Sequence, residues 1–205
     1  MKIALAGSAG TGRTTIAKQV ALSINHFPLT NLAKSILRSE GFKYGTEQTV
    51  EEFLATKERQ VYLYQRKKEK ESELEDFVTD RSWLDLAAYC IYGMQNNTDF
   101  DISAFISDCK DEVEKYDAII HIPWGRQPLQ PNGTRTINPW FQFMIDSIIC
   151  RLANQWKVQM IEIDATLENT EAVNEIFTAI KCINPKIEIK SLKAATENPK
   201  KDDLN

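Results

Sequence analysis

Near its amino end the chain reads Gly7-Ser8-Ala9-Gly10-Thr11-Gly12-Arg13-Thr14. This is the phosphate-binding pattern G-x-x-x-x-G-K-[ST] with one change, an arginine in the lysine position. The run before it, Lys2-Ile3-Ala4-Leu5-Ala6, suits a short buried parallel strand. The run after it, Thr14 to Leu22, places apolar residues at helical spacing. The glycines therefore stand between a strand and a helix, where the backbone can curl and point successive N–H groups at phosphate oxygens. The helix adds its positive end. Gly7, Gly10, Thr11, Gly12, Arg13, Thr14 and Thr15 are the expected nucleotide-binding residues, with the Thr14 hydroxyl a ligand for Mg²⁺. Arg13 keeps the lysine's charge but carries it on a planar fork, which is not interchangeable with an ammonium at a tight site. The reading expects it to bridge the phosphates with altered geometry.

The rest of the chain alternates strand and helix patterns. Phe27 to Thr30 suits a short strand and Asn31 to Glu40 a helix ending at Gly41. A long helical pattern runs from Thr46 to about Glu75, with a capping-box spacing at Thr49 to Glu52. Phe77-Val78-Thr79 reads as a strand, Trp83 to Gln95 and Asp101 to Lys115 as helices, and Asp117 to Ile122 as a buried strand. A long connection follows over residues 123–139, its length a sign of function rather than linkage. A helix to about Trp156, a strand from Val158 to Ile163 and a helix from Glu171 to Cys182 complete the pattern. Such alternation predicts an α/β fold with a parallel sheet flanked by helices on both faces. Residues 1–184 form the expected domain, and 185–205 a polar, lysine-rich tail.

Composition narrows the function. The chain has 205 residues, 42% hydrophobic and 26% charged, with a net charge of −4, so it carries no global attraction to nucleic acid or acidic membranes. A local basic groove is compatible with this. Arg66-Lys67-Lys68-Glu69-Lys70-Glu71 is mixed in sign and reads as a solvated helix face. Cys90, Cys109, Cys150 and Cys182 are widely spread, with no C-x-x-C pair and only two histidines, which predicts reduced thiols and neither a disulfide framework nor a zinc site. His121, inside an apolar run, reads as a satisfied buried side chain. The first strand starts at once and no stretch approaches 18 apolar residues, so a cytoplasmic protein without a membrane partner is expected.

Phosphoryl transfer needs a phosphate cradle, a metal, an acid near the acceptor and positive charge on the transferred group. Asp80, at the carboxyl end of a core strand, fits the acid: it could take the acceptor's proton or hold Mg²⁺. Its competing reading is a helix N-cap, which Ser82 could equally supply. Arg81, Arg126 and Arg135 are the expected charges on the phosphates, the last two on the long loop. Tyr44, Phe53, Gln60 and Tyr62 could line an acceptor pocket, though aromatics at helical spacing are more often core.

Gly7 to Thr14, the run Phe77 to Ser82 and the Gly133-Thr134-Arg135 loop leading into an apolar helix together resemble the small P-loop kinases of the nucleoside and nucleotide kinase group. The likeness is greatest to the nicotinamide-riboside-kinase-like branch with its phage-encoded nucleotide and 5-hydroxymethyluracil DNA kinases. It implies a three-layer P-loop NTPase fold with an arginine-bearing lid loop, and a kinase using ATP and Mg²⁺. In that group the Asp-Arg pair sits at the acceptor, here Asp80-Arg81. The acceptor would be a nucleoside, a nucleotide or a modified base, DNA included, and the group often pairs into homodimers. The alternative is a nucleotide-binding module with little or no catalysis, to which Arg13 points. A GTPase would need an Asn-Lys-x-Asp guanine reader, and a transporter-type ATPase a Ser-Gly-Gly signature; both are missing. Size and the lack of an added helical domain disfavour a ring ATPase.

Overall fold

The computed structural model describes residues 1–32, 56–129 and 138–190. Five parallel strands form one sheet in the order β2-β3-β1-β4-β5. They are β1 (Lys2–Ala6), β2 (Phe27–Leu29), β3 (Phe77–Thr79), β4 (Ala118–His121) and β5 (Ile161–Glu162). The helices are α1 (Arg13–Ser23), α2 (Lys57–Ser72), α3 (Trp83–Met94), α4 (Ile102–Val113), α5 (Pro139–Trp156) and α6 (Asn169–Ile183). The three-layer α/β architecture read from the alternating pattern is the one observed.

The central strand β1 is apolar throughout because both of its faces are covered. Ile3 and Leu5 face a core built with α1 and α6, where Ile16, Val20, Ile176 and Ile180 are buried. Ala6 belongs to the opposite core, which gathers α2 to α5 around the fully buried Trp83. β4 divides in the same way: Ile120 joins the first core and Ile119 the second. The chain beyond α6 also adds to the first core, where Ile187 and Ile189 pack and the Lys190 amide donates to the Ser23 carbonyl at 2.8 Å.

Two boundaries differ from the sequence reading. The long helix does not run unbroken from Thr46: Thr56 is extended (φ −135°, ψ 146°) and α2 begins at Lys57. β5 is shorter than its apolar run, because only Ile161 and Glu162 find ladder partners on β4, Ile120 and His121. The helix expected over 31–40, the residues Tyr44 and Phe53, and the tip of the long loop with Arg135 lie outside the described residues. None of the described helices is long and apolar enough to cross a membrane.

His121, the last residue of β4, is buried with its ring between two carboxylates. Nδ1 lies 2.6 Å from Glu162 on β5, and Nε2 lies 3.1 Å from Asp146 on α5. Burial alone would lower its pKa, but the bonds to Asp146, Cys150 and Glu162 raise it from 6.5 to about 11. Because the folded value is the higher one, the stabilisation is complete below the unfolded value and is lost as pH rises through the folded one. Denaturation midpoints should therefore fall between about pH 7 and pH 11, and His121→Gln should flatten that slope, as urea titrations across the range will show.

Candidate functional site

The site lies at the carboxyl ends of β1, β3 and β4, where open α/β sheets hold their ligands. The chain leaves β1 into the loop at Gly7, whose φ of +142° is a conformation side chains rarely adopt. A Cβ there would stand 2.2 Å from the Ile122 carbonyl oxygen just past β4. The loop is thus threaded past neighbouring backbone where only glycine fits. Gly12, with φ +82°, turns the chain into α1 and is covered by Asn169, Gln127 and Arg126. Among the described residues, no acceptor takes the amides of Gly10, Thr11, Gly12, Arg13 or Thr14. The buried Ser8 Oγ likewise has no partner among them. These are the donors an anion seated in the loop would use.

Asp80 follows β3 and reaches this loop. Its Oδ2 accepts from Thr14 Oγ1 at 2.7 Å and from the Asn31 amide at 3.3 Å. It does not cap α3. Ser82 does, in a reciprocal capping box in which Ser82 Oγ accepts from the Asp85 amide and Asp85 Oδ2 from the Ser82 amide. The carboxylate of Asp80 is thereby left to the loop, 7% exposed and beside the Thr14 hydroxyl.

Arg13 is placed differently from the sequence expectation. Its guanidinium does not extend toward the mouth of the loop; Nη1 turns inward to the Gly7 carbonyl and to Asp85 Oδ1. Arg13 is 6% exposed and Asp85 is fully buried. Asp85 Oδ1 also accepts from the Gly7 amide at 3.3 Å, so one carboxylate joins the start of the loop, the first turn of α1 and the cap of α3. Sequence reasoning missed Asp85, whose only local signal, three residues after Ser82, is that of a capping partner.

The run Arg66 to Glu71 is a solvated face at Arg66, Lys68, Glu69 and Lys70 but not at the other two positions. Lys67 and Glu71 are buried and paired, and Glu71 further accepts from Trp83 Nε1 at 2.8 Å and Tyr116 Oη at 2.9 Å. Lys67 Nζ donates to the Arg81 carbonyl at 2.8 Å and lies 4.9 Å over the Trp83 ring, which fixes the turn carrying Asp80 and Arg81. The Arg81 guanidinium lies 4.8 Å over the Tyr89 ring. A small cleft beside Asp80 is lined by Leu32, Leu63, Lys67 and Leu86. Gln60 and Tyr62, expected in an acceptor pocket, do not line it; Gln60 is 2% exposed and Tyr62 packs against the α2–α5 core.

On the other side of the loop, Arg126 crosses the α1 end of the cradle. Nη1 donates to the Thr11 carbonyl at 3.1 Å and Asn169 Oδ1 at 2.8 Å, and Nη2 to the Leu167 carbonyl at 2.7 Å. All three acceptors are neutral; burial disfavours the Arg126 charge, and the nearby Glu168 carboxylate partly offsets that. A cleft of about 280 Å³ opens here, lined by Ala9, Gly10, Thr11, Trp124, Gln127 and Pro139. Trp124 stacks on the exposed Trp140 (centroids 6.5 Å apart, 28° between planes), and Phe143 meets its edge at 5.2 Å. This aromatic wall was not singled out from the sequence.

The AAA domain family matches the chain over residues 2–169. The chain belongs to that family. No curated protein matches it in sequence. Among solved structures, the YorR protein of Bacillus subtilis in complex with phosphorylated GDP superimposes with a TM-score of 0.56 at 11% identity, over 88% of this chain and 96% of that one. The deoxyadenosine kinase of M. mycoides, with dCMP and dCDP bound, does so with a TM-score of 0.53 at 14% identity, over 89% and 100%. The NadR protein in complex with NAD and AMP-PNP gives 0.55 at 14% identity, over 86% of this chain and 48% of that one. At these identities the shared property is the fold.

Removing either partner of the Arg13–Asp85 pair leaves a buried charge uncompensated, which costs about 3–5 kcal/mol. Arg13→Ala should lower the unfolding free energy by that amount in urea titrations, and Arg13→Leu with Asp85→Asn, which removes both charges and keeps an acceptor for the Gly7 and Ser82 amides, should lose less than the two single variants together. A double variant whose loss equals the sum of the two single losses would show that the pair is not coupled.

Proposed function

We propose that the protein is an ATP- and Mg²⁺-dependent kinase that phosphorylates a hydroxyl or phosphate of a nucleoside, nucleotide or modified pyrimidine base. The reading is carried by one observation: the Thr14 hydroxyl and the Asp80 carboxylate lie 2.7 Å apart at the end of a glycine loop whose amides from Gly10 to Thr14 have no acceptor among the described residues. Two hard oxygens beside such donors suit Mg²⁺ with a polyphosphate. When bound, Mg²⁺ draws charge off the transferred phosphoryl group. Thr14 and Asp80 would hold it.

The protein's own groups then have distinct tasks. The amides from Gly10 to Thr14 grip the phosphates, while the Thr15 amide closes the loop on the Gly12 carbonyl at 3.0 Å. Asp80 Oδ1, to which no donor is bonded among the described residues, receives the proton of the acceptor hydroxyl. Arg126 supplies positive charge at the cradle, and Arg81, next to Asp80, is a further candidate, as Arg135 is by sequence alone. Arg13 supports the loop from beneath through Asp85. Trp124 offers a nucleobase a stacking face in the cleft next to the phosphates. The bound molecules of the similar structures, phosphorylated GDP, dCMP with dCDP, and NAD with AMP-PNP, support a nucleoside-type acceptor. An acceptor base in DNA such as 5-hydroxymethyluracil belongs to the same chemistry but needs a basic groove, against a net charge of −4. We further propose a cytoplasmic setting.

The inward turn of Arg13 favours a second reading, a module that binds nucleotide and transfers nothing. The two separate when γ-labelled ATP is offered with mixed nucleosides, nucleotides and hydroxymethyluracil-containing DNA. A labelled acceptor supports the kinase; nucleotide binding with no labelled acceptor supports the module.

Asp80→Asn should cut transfer by at least about 10²-fold with ATP binding retained, as single-turnover assays and calorimetry will show. Trp124→Ala should raise the KM of the stacked nucleotide about 10-fold and leave kcat nearly unchanged, the loss of one aromatic–base stack.

A further inference from the structure

The second cluster of chemically capable side chains lies apart from the phosphate loop, where β4, β5 and α5 meet. Asp146 and Cys150 stand four residues apart on α5, on one face of the helix, and both point at the ring of His121 on β4. His121 Nε2 is 3.1 Å from Asp146 Oδ1 and 3.8 Å from Cys150 Sγ, and the three ligand atoms all lie within 4.8 Å of one another.

We propose that His121, Asp146 and Cys150 form a zinc-binding site. Bonds of about 2.0–2.3 Å at tetrahedral angles put nitrogen–oxygen and nitrogen–sulfur edges near 3.4 and 3.6 Å, so small side-chain adjustments fit the observed trio around one ion. The donor set of one imidazole, one carboxylate and one thiolate suits Zn²⁺ rather than Mg²⁺ or Ca²⁺. The other ring nitrogen carries an independent mark of such a site. Nδ1 lies 2.6 Å from Glu162, the carboxylate–histidine arrangement that fixes a ligating imidazole and raises its basicity. Asp146 and Cys150 are only partly buried, which gives the ion a path from solvent.

The chemistry balances simply. The ion takes the lone pairs of Nε2 and Sγ, and the protons these atoms carry leave to solvent; the Nδ1 proton stays with Glu162. The cation then stands between Nε2, Asp146 and Cys150, and the ring remains bonded to Glu162 through Nδ1. The site touches the nucleotide cleft through one bond, since Asp146 Oδ2 accepts from the Trp124 amide at 3.4 Å. Fixing Asp146 thus fixes the backbone of the residue that walls the cleft.

The test is titration of the chelator-washed full chain with Co²⁺ alone. One equivalent should bind, with visible bands of tetrahedral cobalt and a near-ultraviolet thiolate-to-cobalt band, and Zn²⁺ should abolish both. Cys150→Ser should remove the thiolate band while Cys182→Ser, at an exposed cysteine on α6, keeps it. Glu162→Gln, at a surface position, should weaken binding about 10–100-fold and leave the bands in place. The oxygen-only pair Thr14 and Asp80 gives no thiolate band, so the readout is independent of the kinase reading. No saturable band in the unaltered protein, or a band that survives Cys150→Ser, overturns the proposal.

Discussion

A carboxylate and a guanidinium buried against each other beneath the phosphate loop are the constraint around which this fold is organised. Both charges have left water, a large cost that their mutual attraction offsets only when the remaining hydrogen-bonding capacity is met. Asp85 meets it almost completely, with the Ser82 amide and hydroxyl on Oδ2 and Arg13 with the Gly7 amide on Oδ1. Those partners come from the ends of β1, α1 and α3. The pair therefore sets the height of the loop above the sheet and the entry angle of the helix that follows Asp80. A lysine in place of Arg13 would bring a point charge rather than a fork, which is why the exchange is not neutral at this position.

A consequence is that cradle and acid are placed by one network. Ser82, held by Asp85, caps α3 and frees Asp80, two residues earlier, to face Thr14. The turn between them is held from the other side by Lys67, itself paired with Glu71. Buried charge is thus spent on orientation rather than on net stability, and the directionality of the bonds is what apolar packing could not supply.

What the sequence revealed follows the range of the forces involved. The strand, loop and first helix were legible because glycine spacing and apolar period act within about 20 residues. Ser82 as a cap was legible for the same reason. Asp85 and Arg13 are 72 residues apart, and nothing local to either announces the other. Lys67 and Glu71 carry the charge pattern of a surface helix, and only their distance to Trp83 and Tyr116 shows that these two are buried. The His121 cluster likewise joins β4 and α5, with Glu162 of β5 behind it, so a search for adjacent cysteines and histidines could not find it. Boundaries slipped where pairing rather than composition decides, as in β5, whose apolar run outlasts its ladder.

β4 shows how closely these demands are interleaved. Alternate residues of a strand face opposite layers. Ile120 accordingly packs into the α1–α6 core, and His121 turns to α5 and its acidic partners. One residue further, the Ile122 carbonyl occupies the space that forces Gly7 to be glycine, and two beyond that Trp124 walls the cleft. A shift of β4 by a single position would place an apolar side chain among Asp146 and Glu162 and drive the imidazole into the hydrocarbon core. The polar cluster at the end of β4 therefore fixes the register of the strand that closes one side of the phosphate loop. The geometry of the cradle depends on a histidine that has no contact with it.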